Sequence, residues 1–366
     1  MFNLTILAPL LLSTVPAPQQ SATSAAELPP LKVGDFAPAL HIGEWLHGEP
    51  LTGMKGGTTH VVEFWATWCG PCVRNIPKLT ATQAAYSAED PAVKVIGVSI
   101  WEDNPGAPRK LIDSRTDEIG YTVATDFVNA EHPEGVTAET WMDAAGQILI
   151  PRAFIVDGRG RIAWIGHPAE MAGPLAQIVA GEWDLDRATR EHREHMILVL
   201  AERQLSERLN TLAKQGKWSE AMAACNASLT EHPALEPELG LRKYELLARM
   251  GHGNERDAYG ARLVEVVFQN DPSRLGTLAR NILKQDKGLG HADLELAQRA
   301  AERANELSDW EDPSLVGTLA EVRFGQGMGK AAILLQEKAV GLAAGTPLEG
   351  RLSRTLERFR KDGRQE

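Results

Sequence analysis

The stretch Val61–Cys72 constrains the fold of this chain more than any other and reads Val-Val-Glu-Phe-Trp-Ala-Thr-Trp-Cys-Gly-Pro-Cys. It begins with apolar and aromatic residues typical of a buried strand, and its Cys-Gly-Pro-Cys turn predicts the start of a helix. Cys69 would lie at the helix N-terminus, where free backbone N–H groups and the positive end of the helix dipole favour a thiolate. Cys72 is close enough in sequence to form a disulfide with Cys69. The pair therefore predicts a redox site with an attacking and a resolving sulfur.

The nine residues Phe64–Cys72 resemble the active site of thioredoxins, and more closely that of the thioredoxin-like disulfide reductases secreted by bacteria. The resemblance extends over roughly residues 31–181. It implies an α/β thioredoxin-like fold, with a central mixed sheet flanked by helices, and an enzyme that needs no cofactor or metal. A peroxiredoxin is disfavoured because Ala66 stands three residues before Cys69, where that class requires Thr.

The same resemblance implies catalytic roles for two residues outside the cysteine pair. Glu63 matches a buried acid of thioredoxins, which implies that it accepts a proton from Cys72 during resolution. The alternative is a solvent-facing strand residue, and strand alternation does not decide between them because both faces of such a sheet are covered. Pro151 follows Ile150 and precedes an apolar strand with an Asp-Gly turn. This context implies a cis-proline that faces the cysteines.

Five further residues are predicted to contact the substrate, namely Trp68, Gly70, Pro71, Ile150 and Arg152. Trp68 would cover the exposed side of the cysteine pair, and Pro71 suits the first helical turn and stiffens it. Ile150 would offer backbone groups to an extended substrate. Arg152 departs from the Thr usual in thioredoxins. It is compatible with steering acidic substrates, with lowering the thiol pKa, or with an ordinary solvated arginine.

The Gly-Pro dipeptide between the cysteines and the Ile before Pro151 are the choices of thioredoxins, which implies a reductase of protein disulfides. In an oxidising compartment a reductase needs an outside electron donor, and a membrane-bound reductase is expected to supply it. Two alternatives stay open. In the first alternative, the dithiol is an oxidant or isomerase. In the second, the C-terminal helical region is a partner-binding scaffold with a subordinate redox domain.

Composition excludes other classes of function. A formal charge of −11 without a basic patch argues against binding to nucleic acid or anionic membrane. The third cysteine, Cys225, is predicted to be a small buried hydrophobic residue, with a third redox thiol as the less favoured alternative. Zinc binding by Cys69 and Cys72 is rejected because no second ligand pair follows at metal spacing.

The length of 366 residues predicts more than one domain. Residues 1–30 are expected to be a signal peptide or uncleaved anchor with a flexible tether, because the apolar run Leu4–Leu12 precedes a stretch rich in Pro, Ser and Ala. The protein is then periplasmic or secreted. Residues 31–183 are predicted to form the thioredoxin-like domain, and residues 184–366 a helical-repeat domain that resembles degenerate tetratricopeptide repeats.

Hydrophobic patterns predict the individual elements. Leu31–Leu51 is expected to form a β-hairpin or two edge strands. In the second half, prolines 233, 272 and 313 are expected to separate successive helix pairs. The remaining predictions are strands at His60–Trp65, Val93–Ile100, Val123–Asp126, Ala153–Val156 and Arg161–Ile165, and helices from Cys69 to about Ser87, within Asn104–Glu118, at Thr137–Ala145, at Glu170–Gly181 and from about Arg187 to Gln215.

Overall fold

The computed structural model describes residues 28–54, 56–86, 93–284 and 291–362. It divides the chain into two compact units, 1–194 and 195–366. This division lies within a helix, Leu185–Lys214, eleven residues after the predicted boundary at 183/184 (194 − 183 = 11). The predicted signal peptide and most of the tether lie outside the described residues. No helix in the described part of the chain is long and apolar enough to span a membrane.

The first unit is built on one six-stranded mixed sheet with the strand order β1-β4-β3-β2-β5-β6. The central strands β2, β3 and β4 run parallel, and the outer pairs β1–β4, β2–β5 and β5–β6 run antiparallel. This is the predicted thioredoxin-like architecture. The strands are β1 Ile42–His47, β2 Thr59–Trp65, β3 Val93–Ser99, β4 Thr122–Asp126, β5 Arg152–Val156 and β6 Ile162–Gly166.

Helices cover this sheet and connect its strands. Pro77 lies inside the helix Gly70–Tyr86. The predicted helix at 137–145 is a π-helix, and the one predicted at 170–181 is a short 3₁₀ turn followed by an α-helix. The helical segments are α1 Gly70–Tyr86, α2 Ala107–Asp113, the 3₁₀ turns Thr116–Glu118 and Pro168–Glu170, the π-helix Ala138–Asp143 and α3 Ala172–Val179.

Of the two alternatives predicted for Leu31–Leu51, the β-hairpin is wrong, and of the two edge strands one is present. This segment contributes one strand, β1, and its partner is β4 rather than a neighbouring part of the same segment. Phe36 forms an isolated β-bridge with Arg161. The physical reason is that β4 would otherwise leave an unpaired outer edge. Pairing with β1 satisfies the backbone groups of that edge, whereas an isolated hairpin is only marginally stable.

Each face of the sheet carries its own hydrophobic core. On one face, Val61 and Trp65 pack with α1 and α3 around both cysteines. On the other face, Val62 and Phe64 pack around Trp141 of the π-helix. β2 is buried at every position because both faces are covered, so its sequence is a nearly continuous apolar run.

In the described residues of the second unit, every element of secondary structure is a helix or a helical turn. Consecutive helices pack as hairpins, notably α5 with α6, α8 with α9 and α10 with α11. Pro272 and Pro313 stand at the first position of helices and follow the capping residues Asp271 and Asp312. The elements are α4 Leu185–Lys214, α5 Trp218–Glu231, α6 Glu236–Arg249, α7 Gly253–Arg262, a π-helical turn Leu263–Val267, α8 Pro272–Leu283, α9 His291–Leu307, α10 Pro313–Gly325, α11 Gly329–Leu342 and α12 Glu349–Asp362, with a 3₁₀ turn at Pro233–Leu235.

Candidate active site

The cysteine pair lies where β2 ends and α1 begins. Cys69 and Cys72 form a disulfide, with their Cα atoms 5.2 Å apart. The carbonyl oxygen of Cys69 accepts the backbone N–H of Val73 at 3.1 Å, and its Sγ accepts the N–H of Cys72 at 3.2 Å. Cys69 therefore occupies the N-cap position of α1, with its sulfur in the place of a capping oxygen. Pro71 stands between them and has no N–H that needs a partner.

Both sulfur-bearing residues are largely buried, with Cys69 5% and Cys72 2% exposed. The Cys72 N–H and the N-terminal end of the α1 dipole point at Cys69 Sγ. After reduction the same arrangement stabilises negative charge on that sulfur. The local geometry thus favours Cys69 as the attacking thiolate, while Cys72 lies one turn deeper.

Glu63 lies on the same face of β2 as Val61 and Trp65, because side chains alternate along the strand. Its neighbours across the sheet are two small residues, Gly97 on β3 and Ala153 on β5. The side chain is 1% exposed, and its Oε1 has no hydrogen-bond partner among the described residues. Burial raises the pKa of Glu63 to about 8.

The position of Glu63 excludes the solvent-facing alternative, and its role in proton transfer stays a prediction. The carboxyl is buried and lies on the face that carries the cysteines. Trp65 is buried on the same face, with its Nε1 also unpartnered in the part of the chain that the structure describes. A buried acid with a pKa near 8 can, in its ionised form, accept a proton near neutral pH, for which an ordinary surface glutamate is too weak a base.

Pro151 follows Ile150 through a cis peptide bond, as the resemblance implied. Arg152 begins β5 and is paired in register with Phe64, the residue after Glu63. Burial lowers the pKa of the partly buried Arg152 guanidinium, and the negative charge of Glu170 opposes this shift.

The turn before Cys69 is held by the residues that follow β3. The carboxylate of Glu102 accepts the N–H of Thr67 at 2.7 Å and the Thr67 hydroxyl at 2.5 Å. It also accepts the hydroxyl of Ser99, at 2.6 Å. The indole Nε1 of Trp68 donates to the carbonyl oxygen of Trp101 at 2.8 Å. These bonds fix Trp68 while its ring remains 55% exposed.

Sequence reasoning missed the contribution of Trp101 and Glu102. The signal was present, because the carboxyl ends of neighbouring parallel strands meet at one edge of a sheet, where ligands commonly bind. Residues that directly follow β3 should therefore lie beside residues that directly follow β2. Sequence reasoning also missed four exposed apolar side chains, at Phe127, Val128, Ile148 and Leu149.

Cys225 belongs to α5 of the second unit and is fully buried. Burial raises the pKa of its thiol. The prediction of a buried small hydrophobic residue is confirmed. Within the described ranges 28–54, 56–86, 93–284 and 291–362, no group of three or more His, Cys, Asp or Glu is placed to hold a metal ion.

A known family model matches a stretch within the first unit. Residues 32–177 match the Redoxin family model. The chain is 24% identical to protein FixW of Rhizobium leguminosarum over 212 residues, which cover 56% of this chain and 92% of that protein. It is 23% identical to the sporulation thiol-disulfide oxidoreductase A of Bacillus subtilis, over 40% of this chain and 78% of that protein.

A relative from Rhodobacter capsulatus, the thiol:disulfide interchange protein HelX, is 27% identical over 44% of this chain and 80% of its own length. Among solved structures, a thiol-disulfide isomerase from Corynebacterium glutamicum is similar with a TM-score of 0.34 and 21% identity, covering 41% of this chain and 96% of that one. The family model ends before α4, so the second unit receives no family from it.

Proposed function

Residues 32–177 form a Redoxin domain and the chain is a thiol–disulfide oxidoreductase, and from this premise we propose that it reduces disulfides of proteins outside the cytoplasm. The observation that carries the proposal is the Cys69 sulfur at the N-cap of α1, where it accepts the N–H of Cys72. This geometry favours the thiolate that a reductase needs for its first step.

In each step of the reductive cycle, the bonds, protons and electrons balance. The Cys69 thiolate attacks one sulfur of a substrate disulfide, forming a mixed disulfide and releasing the other substrate sulfur as a thiolate that takes up a proton. Cys72 then loses its proton and attacks Cys69. The Cys69–Cys72 disulfide forms, the mixed disulfide breaks, and the substrate leaves with two thiols. The enzyme has lost two electrons, which an outside donor must restore.

Glu63 is assigned the proton-transfer role in the second step. Its carboxyl is buried on the cysteine face and, with its pKa raised to about 8, exchanges a proton near neutral pH. A carboxyl with an ordinary pKa would be a much weaker base toward the Cys72 thiol. The proton passes from Cys72 to Glu63 directly or through a water.

The substrate-binding roles are proposals that rest on exposure and position. Trp68 offers a fixed apolar platform next to Cys69. Gly70 and Pro71 form the turn that faces an incoming disulfide. Ile150 precedes the cis-proline and offers its backbone to an extended substrate strand, and Arg152 follows it. No side-chain contact to the disulfide is assigned to Arg152.

The proposal also gives a direction of electron flow, from the protein to the substrate disulfide. The Gly-Pro dipeptide between the cysteines is that of thioredoxin, whose reduction potential is about −270 mV, against about −120 mV for a strong periplasmic oxidant. A location outside the cytoplasm and a membrane-bound electron donor rest on the N-terminal apolar segment of the sequence and on this direction. A protein partner for the second unit rests only on its packed helical hairpins.

A redox titration of the Cys69–Cys72 pair tests the direction. The full chain is equilibrated in dithiothreitol buffers of graded potential, and the fluorescence of Trp65 and Trp68 reports the oxidised fraction. A potential near −270 mV is expected for a reductase. A value near −120 mV would instead establish an oxidant. The absence of any titratable pair would leave the second unit as the working part.

Trapping tests the protein substrate independently of the potential. A Cys72→Ala variant removes the resolving thiol, so a mixed disulfide with Cys69 is expected to accumulate and to be released by reductant. A Cys69→Ala variant, which retains the deeper cysteine, is the matched control and should trap little. Equal trapping by both variants would contradict the assignment of Cys69 as the attacking residue.

A further inference from the structure

A cleft of about 520 Å³ opens at the carboxyl ends of β3 and β4, beside the cysteine turn. Its apolar wall includes Trp101, Phe127 and Val128. Phe127 and Val128 are 42% and 57% exposed, so this wall presents apolar surface to solvent. Pro105 and Pro133 line it from loops that they stiffen, and Pro108 lines it from the first turn of α2. Surface of this kind is typical of a binding groove.

The charges around the cleft are of one sign. Four carboxylates line it, and no Lys, Arg or His is among the lining residues that the structure describes. Two of them accept hydrogen bonds from the protein itself. Glu102 accepts from Thr67 and Ser99, and Asp126 accepts two backbone N–H groups at 2.8 and 2.7 Å. The other two, Asp103 and Glu134, are exposed. They are therefore available to a cationic ligand.

The cleft is connected to the disulfide through the Trp101–Glu102 turn. One side of this turn lines the cleft. The other side holds Thr67 and Trp68, the two residues before Cys69, through the hydrogen bonds of Glu102 and of the Trp101 carbonyl. A polypeptide whose disulfide reaches Cys69 would pass the exposed Trp68 ring, and its neighbouring residues would meet the cleft.

We propose that this cleft binds the segment that flanks the disulfide of a protein substrate, and that this segment is apolar with a Lys or Arg side chain. The inference rests on the proposed reductase function and adds a substrate class to it. The apolar side chains pack on Trp101 and Phe127, and the cation lies between Asp103 and Glu134. This preference for a cationic substrate segment is the opposite of the preference for acidic substrates that Arg152 alone would give.

Matched peptides test the inference. Symmetric disulfides of a five-residue peptide with a central cysteine carry Lys, Gln or Glu at both ends, with Leu beside the cysteine. The reduced full-length protein is mixed with each in a stopped-flow instrument, and tryptophan fluorescence gives the second-order rate constant. The Lys peptide is expected to react about fivefold faster than the Glu peptide at low ionic strength. This ratio should approach one in ~0.5 M NaCl, because salt screens exposed charges.

Two double variants identify the carboxylates responsible. Asp103→Asn with Glu134→Gln removes both exposed charges of the cleft, and the Lys/Glu ratio should fall to about one. Glu49→Gln with Asp117→Asn changes the net charge equally at exposed acids that do not line the cleft. This control should keep the ratio of the wild type. The ratio compares two substrates on one variant, so a general loss of active protein does not alter it.

The outcomes separate the two proposals. Equal rates for the three peptides, or faster reaction of the Glu peptide, would overturn the cleft assignment and leave the reductase function intact. A ratio that falls equally in both double variants would also overturn it, because only the net charge would then matter. Failure of the reduced protein to react with any of the peptides would count against the reductase function, and the cleft assignment would fall with it.

Discussion

Each face of β2 buries one ionisable group, and the two groups differ in the residues that share their face. Glu63 lies on the face that carries the cysteines, and His60 lies on the opposite face with Val62 and Phe64. Both side chains are 1% exposed, and each has a polar atom without a hydrogen-bond partner among the described residues. Both are therefore held neutral by burial, yet only Glu63 shares its face with a reacting thiol.

The His60 face obtains its stability from aromatic packing. Phe154 packs edge-on against Phe64, with ring centroids 5.5 Å apart, and against Trp141, with centroids 5.3 Å apart. Such pairs stabilise beyond the burial of their area. The Glu63 face packs around the cysteines and includes an unpartnered carboxyl, which costs stability. One strand thus has a face that stabilises the fold and a face that carries chemistry.

The largest expected effect tests whether a change on the His60 face of β2 leaves the cysteine pair on the other face unaffected. Phe154→Ala should lower the free energy of unfolding by about 4 kcal/mol, because it leaves a cavity between two aromatic rings. Denaturant unfolding followed by tryptophan fluorescence measures this loss. The reduction potential of Cys69–Cys72 should stay the same, and Phe154→Leu should cost much less stability. A change in potential above ~30 mV, equivalent to about 1.4 kcal/mol, would show that the faces are coupled.

Much of this arrangement was predictable from the sequence. The motif Phe64–Cys72 predicted the strand, the helix and the cysteine pair, and the apolar run of β2 predicted burial on both faces. The face occupied by Glu63 was not predictable, because a strand covered on both sides has no polar side to orient it. The partner of β1 was not predictable either, since pairing with β4 joins segments about 80 residues apart.

The residues that hold the cysteine turn show the same limit. Glu102 is one of many acids in the sequence, and its three hydrogen bonds exist only because β3 ends beside β2. Local patterns predict which segment is a strand, whereas the contact between two loops depends on strand order. The cleft has the same origin, because its walls come from segments that follow two different strands.

The next prediction concerns kinetics. Glu63→Gln keeps the size of the side chain but cannot accept a proton, so it should slow resolution by Cys72 by about 10- to 100-fold. The initial attack by Cys69 should change much less. Stopped-flow mixing of the reduced protein with a peptide disulfide resolves the two steps as a second-order and a first-order phase.

His60→Gln is the control for this experiment, because it removes the buried ionisable group on the other face of the same strand. It should leave the first-order phase close to that of the wild type. If Glu63→Gln slowed both steps equally, the proton-transfer role would be lost. If His60→Gln slowed resolution as much as Glu63→Gln, the effect would belong to the strand and not to one face.

The last prediction concerns the pH dependence of stability, to which the two groups contribute with opposite signs. Glu63 has a folded pKa of about 8, raised by burial from its ordinary value of 4.5. Between these values the folded state holds a proton that the unfolded state has lost, so stability falls as pH rises, by up to about 1.4 kcal/mol per pH unit. His60 has a folded pKa of about 4, lowered by burial from 6.5. Between those values the unfolded state holds the extra proton, so stability rises with pH.

The two contributions oppose each other between about pH 4.5 and 6.5, and only that of Glu63 remains between 6.5 and 8. The difference in unfolding free energy between wild type and Glu63→Gln should therefore change steadily across pH 6.5–8, with the variant gaining relative stability as pH rises. The difference between wild type and His60→Gln should change below pH 6.5 and be flat above it. Urea unfolding of the oxidised proteins at half-unit pH intervals measures both. A flat Glu63 difference across pH 6.5–8 would mean that this carboxyl is already ionised in the folded protein, and the two faces of β2 would then not be alike in holding neutral groups.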